Sequence, residues 1–270
     1  MCTLSVISLP RGVTPAQGGF RVVVNRDEQH DRPPALYPRW RRVPTPLGRT
    51  RAIWPIDPRG GGTWIGATEH GLVLALLNLN LRPAPALPDD LRSRGSVIPS
   101  LIGLGRGDAV MDALHAMDLS LYAPFRLVAI EPDARAGCVM REAAWDRSGL
   151  RIREGIVPPA CFVSSGLGDD LVACRLDLFD EFVRPAPTPD AQDRFHAHAW
   201  LGREHLSVRM HRADARTVSV TRVEVLGIES GLPRVRVGYR PVGPAGEPMP
   251  RIDAALGARA GAAAAVGVGA

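Results

Sequence analysis

The sequence predicts an α+β protein built around antiparallel sheets. Short apolar strands open the chain, and more strands return as a meander after the first helical patterns. Helical patterns come in pairs and do not alternate one by one with strands, which argues against a βαβ array. A late segment, residues 216–225, alternates apolar and polar residues as a half-buried strand does. With 270 residues, 45% of them apolar, the chain is long enough for one large domain.

The first half begins with two predicted hairpins separated by a loop. Thr3–Ser8 and Phe20–Val24 form the first hairpin. Arg32–Pro58, rich in Pro and Arg, is predicted to be a long loop over one end of the sheet, a kind of segment that often carries function. Trp64–Thr68 and Leu72–Leu79 form the second hairpin, and the apolar character of Leu72–Leu79 predicts a central strand covered on both faces.

The second half predicts helices, a meander, two more helices and a last hairpin. Asp108 is a plausible N-cap for the second of the early helices, and Thr188, followed by Pro189, starts the last one. The segments are Ser96–Leu104, Asp108–Met117, Phe125–Glu131, Val139–Trp145, Leu150–Ile156, Cys161–Ser165, Asp169–Val183, Thr188 to about Trp200, Arg216–Val225 and Arg234–Arg240. We expect a single domain over residues 1–253 and a disordered Ala/Gly-rich tail over residues 254–270.

Composition excludes several classes of function. All 33 basic residues are arginines, and they are scattered among 28 acidic residues, so the net charge of +5 does not indicate nucleic-acid binding. No run of 18 apolar residues predicts a membrane span, and the first residues lack the pattern of a signal peptide. We therefore expect a cytoplasmic protein.

Metal binding is not indicated either. The cysteines have no metal-ligand spacing, and His196 and His198 lie two apart on a predicted helix, where they point to different faces. Three of the four cysteines lie in apolar surroundings typical of small buried side chains: Cys138, Cys161 and Cys174.

Cys2 is the cysteine placed for chemistry. Removal of Met1, which we expect before a small residue, would give Cys2 a free α-amine beside its thiol. Such an amine has a pKa of about 7.7–8.0 and can act as the base for the thiol. A cysteine at this position can also be accidental, and Cys2 alone does not decide between these interpretations.

Polar residues end two of the predicted strands. Asn25-Arg26-Asp27-Glu28 follows Phe20–Val24 and can orient and charge a neighbouring nucleophile, although a solvated hairpin end would look the same. Asn78, at the end of an apolar strand, needs a partner for its amide, so it is either a structural cap or an oxyanion donor. The glycines of Gly60–Gly66 allow close approach of the backbone to a ligand.

Together these motifs resemble the NRDE family, also called the transport-and-Golgi-organisation family. The likeness covers residues 2–225 and also includes three short segments: Ser93-Arg94-Gly95, Ser164-Ser165-Gly166 and Arg216-Thr217-Val218-Ser219. That family is similar to the penicillin V acylase and bile-salt hydrolase branch of the N-terminal-nucleophile hydrolases. The resemblance implies a four-layer αββα sandwich.

The resemblance also implies roles for individual residues. Cys2 would be the nucleophile, Asp27 would bind its amine with Arg26 nearby, Asn78 would supply the oxyanion hole and Arg216 would support the nucleophile. Where the hydrolases have a second Asn, this chain has Ser164 or Ser165. Further candidates for substrate contacts are Asn25, Glu28, Trp64 and Asn80.

Two hypotheses of different classes follow. In the first, the chain is a cysteine amidohydrolase that cleaves a non-peptide amide of a small molecule, with no resident cofactor. In the second, it keeps the fold and the pocket but carries haem or an acyl lipid as cargo without hydrolysing it. The set of nucleophile residues favours the first hypothesis, and the serine in place of the second Asn favours the second.

Overall fold

Thirteen β-strands and four α-helices make up the computed structural model, which describes residues 2–10, 18–133, 135–227 and 232–256. The strands in chain order are β1 (Cys2–Leu9), β2 (Gly19–Gln29), β3 (Leu36–Thr45), β4 (Gly48–Ile56), β5 (Ile65–Thr68), β6 (Val73–Asn78), β7 (Phe125–Asp133), β8 (Gly137–Trp145), β9 (Leu150–Ile156), β10 (Ala160–Ser164), β11 (Ala215–Leu226), β12 (Arg234–Pro241) and β13 (Ile252–Leu256). The helices are α1 (Val97–Leu101), α2 (Gly107–Ala116), α3 (Cys174–Phe182) and α4 (Pro189–Ala197).

The first sheet joins segments that are far apart in the chain. Its six strands lie in the order β10-β1-β2-β11-β12-β13, and every neighbouring pair is antiparallel. Cys2, at the start of β1, is opposite Ser164 on one side and Arg26 on the other. The nucleophile candidate therefore lies inside a sheet between two strands that fix its backbone.

The second sheet is a sequential antiparallel meander of seven strands, from β3 to β9. Its central strand β6 reads Val-Leu-Ala-Leu-Leu-Asn, and the five apolar residues are all buried. Such a continuous apolar run is stable only where both faces of the strand are covered. Asn78, the one polar residue, stands where this cover ends.

Four layers result, in the order helices, sheet, sheet, helices. Side chains from the inner faces of both sheets form one core, which includes Leu4, Val22 and Val73. Residues of α1 and α2 pack on the outer face of the second sheet, and residues of α3 and α4 pack on the outer face of the first. This confirms the predicted α+β class and the αββα sandwich.

Strand β1 shows how the pattern of residues builds these layers. Leu4 and Val6 face the inter-sheet core. Thr3 and Ser5 face the helices, where Thr3 accepts a hydrogen bond from Arg175 and Ser5 bonds to His196 and Gln192. The alternation of a strand therefore buries polar groups toward α3 and α4, and their hydrogen bonds offset the cost of that burial.

The structure differs from the sequence-based expectations at three places. Arg32–Pro58 is not a loop, because it contains the antiparallel hairpin of β3 and β4. Asp108 lies in the first turn of α2, whose N-cap is Arg106. Residues 254–256 belong to β13, which pairs with β12; the rest of the predicted tail, residues 257–270, lies outside the described residues.

Among the described residues, no helix is long and apolar enough to cross a membrane. All four cysteines are free. Burial raises the pKa of the Cys138 thiol to about 12, as expected for a cysteine that acts as a small apolar side chain.

Candidate functional site

A cavity of about 570 Å³ opens at the ends of the central strands of both sheets. The first sheet contributes Cys2 from β1 and Arg26, Asp27 and Glu28 from β2, and the second contributes Asn78 from β6. Gln29 of β2 and Leu76 of β6 also line the cavity. The segments between the strands contribute the remaining lining residues, which are Arg32, Asp57, Gly62, Thr63, Trp64, Arg92, Ser93, Arg94, Gly95, Ala123, Gly166, Arg212 and Asp214. The structure thus brings together six of the predicted site residues.

The Cys2 side chain lies at the inner end of this cavity and is 4% exposed. Burial raises the pKa of its thiol, the charges of Asp27 and Glu28 act in the same direction, and Arg26 opposes them. The thiol is therefore protonated at neutral pH. Nucleophilic chemistry at this sulfur needs a base that removes the proton inside the site.

The tetrapeptide Asn25-Arg26-Asp27-Glu28 divides its side chains between the two faces of β2. Arg26 and Glu28 point into the space between the sheets, where Arg26 lies 3.5 Å from Glu28 and 3.2 Å from Asp57. Asn25 and Asp27 bond to groups in the helical layer and in β11. This division follows directly from the two-residue period of a strand.

Arg26 is held by both charge and an aromatic ring. Its guanidinium carbon lies 4.3 Å from the ring centroid of Trp64, within cation–π distance. Asp57 also accepts a hydrogen bond from Arg32. Burial acts to raise the pKa of Asp57, but the hydrogen bond from Arg32 and the charge of Arg26 outweigh burial and hold that pKa below its usual range. The cavity wall is therefore rigid and charged at this point.

Asp27 is buried beside Cys2. Thr217 donates a hydrogen bond of 2.7 Å to Asp27 Oδ1, and Arg175 lies 3.7 Å from Oδ2. Burial raises the pKa of Asp27, while Arg175 and Thr217 act to lower it. Arg175, 1% exposed, also donates to Thr3 at 2.9 Å and to the carbonyl oxygen of Leu206 at 2.9 Å.

Arg175 has no place among the predicted site residues, although the sequence carries a signal for it. Val172, Arg175 and Phe179 recur at helical spacing and are buried together. An arginine within an apolar stripe indicates a buried partner of opposite charge, because an unpaired cation there would be costly. Its partner, Asp27, is almost 150 residues earlier in the chain.

Asn78 is on the cavity wall, and its side-chain amide makes no hydrogen bond to any described residue. Backbone pairing of Asn78 with Phe125 fixes its position at the end of β6. A free amide in this position has hydrogen atoms available for a ligand oxygen.

Asn80, Ser164 and Ser165 form a separate cluster around Asp169. Asn80 Nδ2 donates to Ser164 Oγ at 3.0 Å and to Asp169 Oδ1 at 3.1 Å. The backbone N–H of Ser165 donates to the same carboxylate oxygen at 2.9 Å. None of these three predicted residues is on the cavity lining, and their polar groups are used within the cluster.

Two other predicted site residues point away from the cavity. Asn25 donates to the carbonyl oxygens of His196 and Val208, both at 2.9 Å, and ties β2 to the helical layer. Arg216 donates to the carbonyl oxygens of Val242 and Gly243 at 2.7 and 2.9 Å.

Arg94 lines the cavity and belongs to the Ser93-Arg94-Gly95 motif, for which the sequence predicts no role. The Gly-rich turn holds its segment in place: Thr63 N–H donates to the carbonyl oxygen of Gly95 at 2.9 Å. A Cβ on Gly62 would come within 2.3 Å of the carbonyl carbon of Gly95, so only glycine allows this contact. The glycines therefore shape the cavity wall by backbone contact.

No group of three or more side chains suited to holding a metal occurs in the part of the chain that the structure describes. The chemistry available in the cavity is that of a buried thiol, carboxylates, guanidinium groups and a free amide.

Comparison with known proteins gives one family and several similar folds. The model of the family described as Transport and Golgi organisation 2 matches residues 11–158. No curated protein matches the chain. Among solved structures, the N-acylethanolamine-hydrolysing acid amidase orthologue of Caenorhabditis elegans has a TM-score of 0.51 at 12% identity, over 85% of this chain and 94% of that chain.

Two bacterial structures are similar at lower TM-scores. Penicillin V acylase from Agrobacterium tumefaciens has a TM-score of 0.44 at 14% identity, over 87% of this chain and 84% of that chain. A mutant conjugated bile acid hydrolase from Clostridium perfringens has a TM-score of 0.46 at 12% identity, over 95% and 92%. The two antiparallel sheets between helical layers match the N-terminal-nucleophile hydrolase fold.

Proposed function

The chain belongs to the Transport and Golgi organisation 2 family, and from the geometry of its cavity we propose that it is an N-terminal-nucleophile cysteine amidohydrolase. Its substrate would be a small molecule with a non-peptide amide bond. The observation that carries this proposal is the position of Cys2, whose sulfur lies in a cavity lined by Asp27 and by the free amide of Asn78. The first sheet supplies the nucleophile and the carboxylate, and the second supplies the amide.

The mechanism begins with the buried thiol. In the processed protein the α-amine of Cys2 takes the thiol proton, and the resulting thiolate attacks the amide carbon to form a tetrahedral oxyanion. The protonated amine then donates its proton to the leaving nitrogen as the C–N bond breaks, which releases an amine and leaves a thioester. A water molecule attacks the thioester, its proton passes through the α-amine to the departing sulfur, and a carboxylic acid is released.

Each step uses a group that the cavity contains. An α-amine has a pKa of about 7.7–8.0, so it can both accept and donate a proton near neutral pH. In the proposed mechanism Asp27 holds the protonated amine by its charge. Asn78 donates to the oxyanion, and one such donor typically contributes about 3–4 kcal/mol of transition-state stabilisation.

Similarity to the amidase orthologue from Caenorhabditis elegans supports the choice of reaction class. That protein is described as hydrolysing N-acylethanolamines, and its fold aligns over most of both chains. We therefore propose that the substrate class includes N-acyl amides of small amines. The approximately 570 Å³ of the cavity accommodates a molecule of that size.

The proposal is tested with a panel of N-acyl amides and three forms of the protein. Purified protein that lacks Met1 should release free amine and carboxylic acid from at least one member of the panel. Cys2→Ser and a form with a permanent N-terminal extension should fold with unchanged melting temperature and lose the activity, because the extension turns the α-amine into a non-basic amide nitrogen. Full activity with Met1 retained, or in Cys2→Ser, would contradict the mechanism.

One observation favours a second candidate, the binding of haem or an acyl lipid as cargo. The Ser164 hydroxyl, where the hydrolases have a second Asn, is buried, accepts a hydrogen bond from Asn80 and is absent from the cavity lining. A carrier needs no oxyanion donors. Two measurements distinguish the carrier from the hydrolase. A carrier would keep its affinity for haem or for a fatty-acyl ligand when the Cys2→Ala variant is titrated. The wild-type carrier would also release no amine from the amide panel.

A further inference from the structure

Two arginines on one wall of the cavity have no acidic partner. Arg92 and Arg94 flank Ser93 and both line the cavity that contains Cys2. Within the described part of the chain, neither Arg92 nor Arg94 forms an ion pair. Arg92 is exposed at the mouth, whereas Arg94 is half-buried farther in.

The other cavity arginines are paired, which makes this wall distinct. Arg26 and Arg32 both bond to Asp57. Arg212 forms a two-pronged contact with Asp214, at 2.9 and 2.8 Å. The positive charge left without compensation in the cavity is therefore concentrated at Arg92 and Arg94.

Arg94 is fixed by one bond and keeps the rest of its guanidinium for a ligand. Its Nη1 donates to the carbonyl oxygen of Pro124 at 2.9 Å, and that oxygen also accepts from the backbone N–H of Leu79. The guanidinium group therefore lies beside the end of β6, next to Asn78. Burial lowers the pKa of Arg94, and the charge of Glu28, which lines the same cavity beyond ion-pair distance, acts to raise it.

A half-buried guanidinium without a counter-ion is unfavourable, and an anionic ligand would remove that cost. The planar fork of an arginine is well suited to a carboxylate, which it can bind through two parallel hydrogen bonds. Arg92, at the mouth of the cavity, would also attract the negative charge of the ligand as it enters.

We propose that Arg94, assisted by Arg92, binds a carboxylate of the substrate, so that the amides cleaved at Cys2 are acidic molecules. As a statement about substrate class this rests on the proposed function, whereas the anion site itself does not depend on hydrolysis. The carboxylate belongs either to the released amine or to the acyl group, and the two are distinguished below.

The anion site is tested without a substrate, by alkylation of Cys2. Iodoacetate carries a carboxylate and iodoacetamide is its neutral counterpart, and mass spectrometry of the N-terminal peptide reports Cys2 apart from the other cysteines. Arg94→Gln should lower the iodoacetate rate about tenfold and change the iodoacetamide rate less than twofold, since one lost charge-assisted contact is worth roughly one power of ten. Arg49→Gln, which removes an exposed arginine outside the cavity, is the matched control and should change neither rate.

Two further variants keep the test decisive if Arg94→Gln folds poorly. Arg92→Gln changes an exposed side chain and should lower the iodoacetate rate about two- to threefold. Arg94→Lys keeps the charge without the fork and should lie between wild type and Arg94→Gln. Equal loss with both reagents would mean that Arg94 acts on the reactivity of the Cys2 thiol, and unchanged rates would mean that no anion binds there; either result overturns the proposal.

Hydrolysis assays then separate the two proposals. An N-acylglycine has a carboxylate on the amine side of the amide, and the matching N-acylglycinamide lacks it. A dicarboxylic acid monoamide has a carboxylate on the acyl side, and its methyl ester lacks it. Faster hydrolysis of the acidic member of one pair than of its neutral counterpart, with the difference lost in Arg94→Gln, would show on which side of the amide the carboxylate lies. If Arg94 favours iodoacetate over iodoacetamide but no amide is hydrolysed, the hydrolase proposal is refuted and the anion site stands. If amides are hydrolysed but neither the alkylation assay nor the hydrolysis assay favours the acidic compound, the anion site alone is refuted.

Discussion

Asn78 and Asn80 lie two residues apart, yet their amides are in opposite situations. The side-chain amide of Asn78 has no hydrogen-bond partner among the described residues and lines the cavity. Asn80 bonds to Ser164 and Asp169 and is absent from the lining. One amide is thus available to a ligand and the other holds two loops together, and this difference can be tested by a matched pair of substitutions.

Asn78→Ala should lower kcat for the hydrolysed amide by about 10²–10³ with little change in melting temperature, because it removes an oxyanion donor and no internal bond. Asn80→Ala is the control and should show the reverse, a lower melting temperature and a kcat per folded molecule within a fewfold of wild type. Steady-state kinetics and thermal denaturation measure the two effects. An Asn78→Ala protein with unchanged kcat would remove Asn78 from the mechanism.

Arg175 gives a second test at the scale of a residue. Arg175→Met should lower the free energy of unfolding by about 3–5 kcal/mol, because it removes a buried cation that lies 3.7 Å from the Asp27 carboxylate and donates hydrogen bonds to Thr3 and Leu206. Arg184→Met, which breaks an exposed pair with Asp180, should cost less than about 1 kcal/mol. Urea denaturation of both variants makes the comparison, and equal small losses would show that Arg175 contributes packing alone.

The sequence identifies which residue types can do chemistry, but their availability depends on tertiary partners. Cys2, Arg26, Asp27 and Asn78 are identifiable as candidates because each begins or follows a recognisable strand, and the family resemblance supplies the roles proposed for them. Asn25, Asn80 and Arg216 have suitable chemistry, but contacts formed by distant segments use their polar groups. Arg94 lies in a motif that the sequence shows, but its role depends on a cavity that no local pattern describes.

The contact between β2 and α4 is a polar network at the scale of elements. Asn25 Nδ2 donates to two backbone carbonyls, so its Oδ1 accepts from Nδ1–H of His196 at 2.9 Å. Nε2 of His196 then accepts from the Ser5 hydroxyl at 2.7 Å, which in turn accepts from Gln192. The network requires a neutral imidazole, and burial holds the pKa of His196 well below its usual value.

This network predicts a loss of stability in mild acid. The unfolded chain protonates His196 near pH 6.5 and the folded chain does not, so the unfolded state binds more protons and stability falls as pH falls below about 6.5. The slope attributable to this group approaches about 1.4 kcal/mol per pH unit. His196→Gln should be less stable at pH 7.5 but show a flatter decline to pH 5, and the exposed His115→Gln should follow wild type; equal slopes in all three would contradict the assignment.

The β3–β4 hairpin shows where element prediction fails. Three arginines and two prolines interrupt the apolar pattern of β3, and most of its side chains are exposed or only partly buried. An outer strand with little burial has no clear two-residue pattern, so its sequence is indistinguishable from that of a polar loop. The central strands β2, β6 and β11 are predictable because both neighbours and both layers constrain them.

At the scale of the molecule, the site exists because two sheets end together. Cys2 and Asp27 belong to one sheet and Asn78 to the other, so the proposed catalytic set forms only when the inter-sheet core has packed. The class of fold follows from the order of elements and from the family resemblance. The pairing of β10 with β1 and of β11 with β2 joins residues 154 to 207 positions apart, and nothing in the local pattern of residues fixes such pairs.

The end of the folded domain can be located by a pair of truncations. Removing residues 252–270 deletes β13, exposes the edge of β12 and removes the contact of Ala254 with the inter-sheet core, so we expect the melting temperature to fall by several degrees. Removing residues 257–270 alone should leave it unchanged, because this Ala/Gly-rich sequence lacks large apolar side chains. Calorimetry of the two truncated proteins beside the full chain measures both. Equal melting temperatures in all three would place the boundary before β13, and a drop on removing 257–270 alone would place it within that segment.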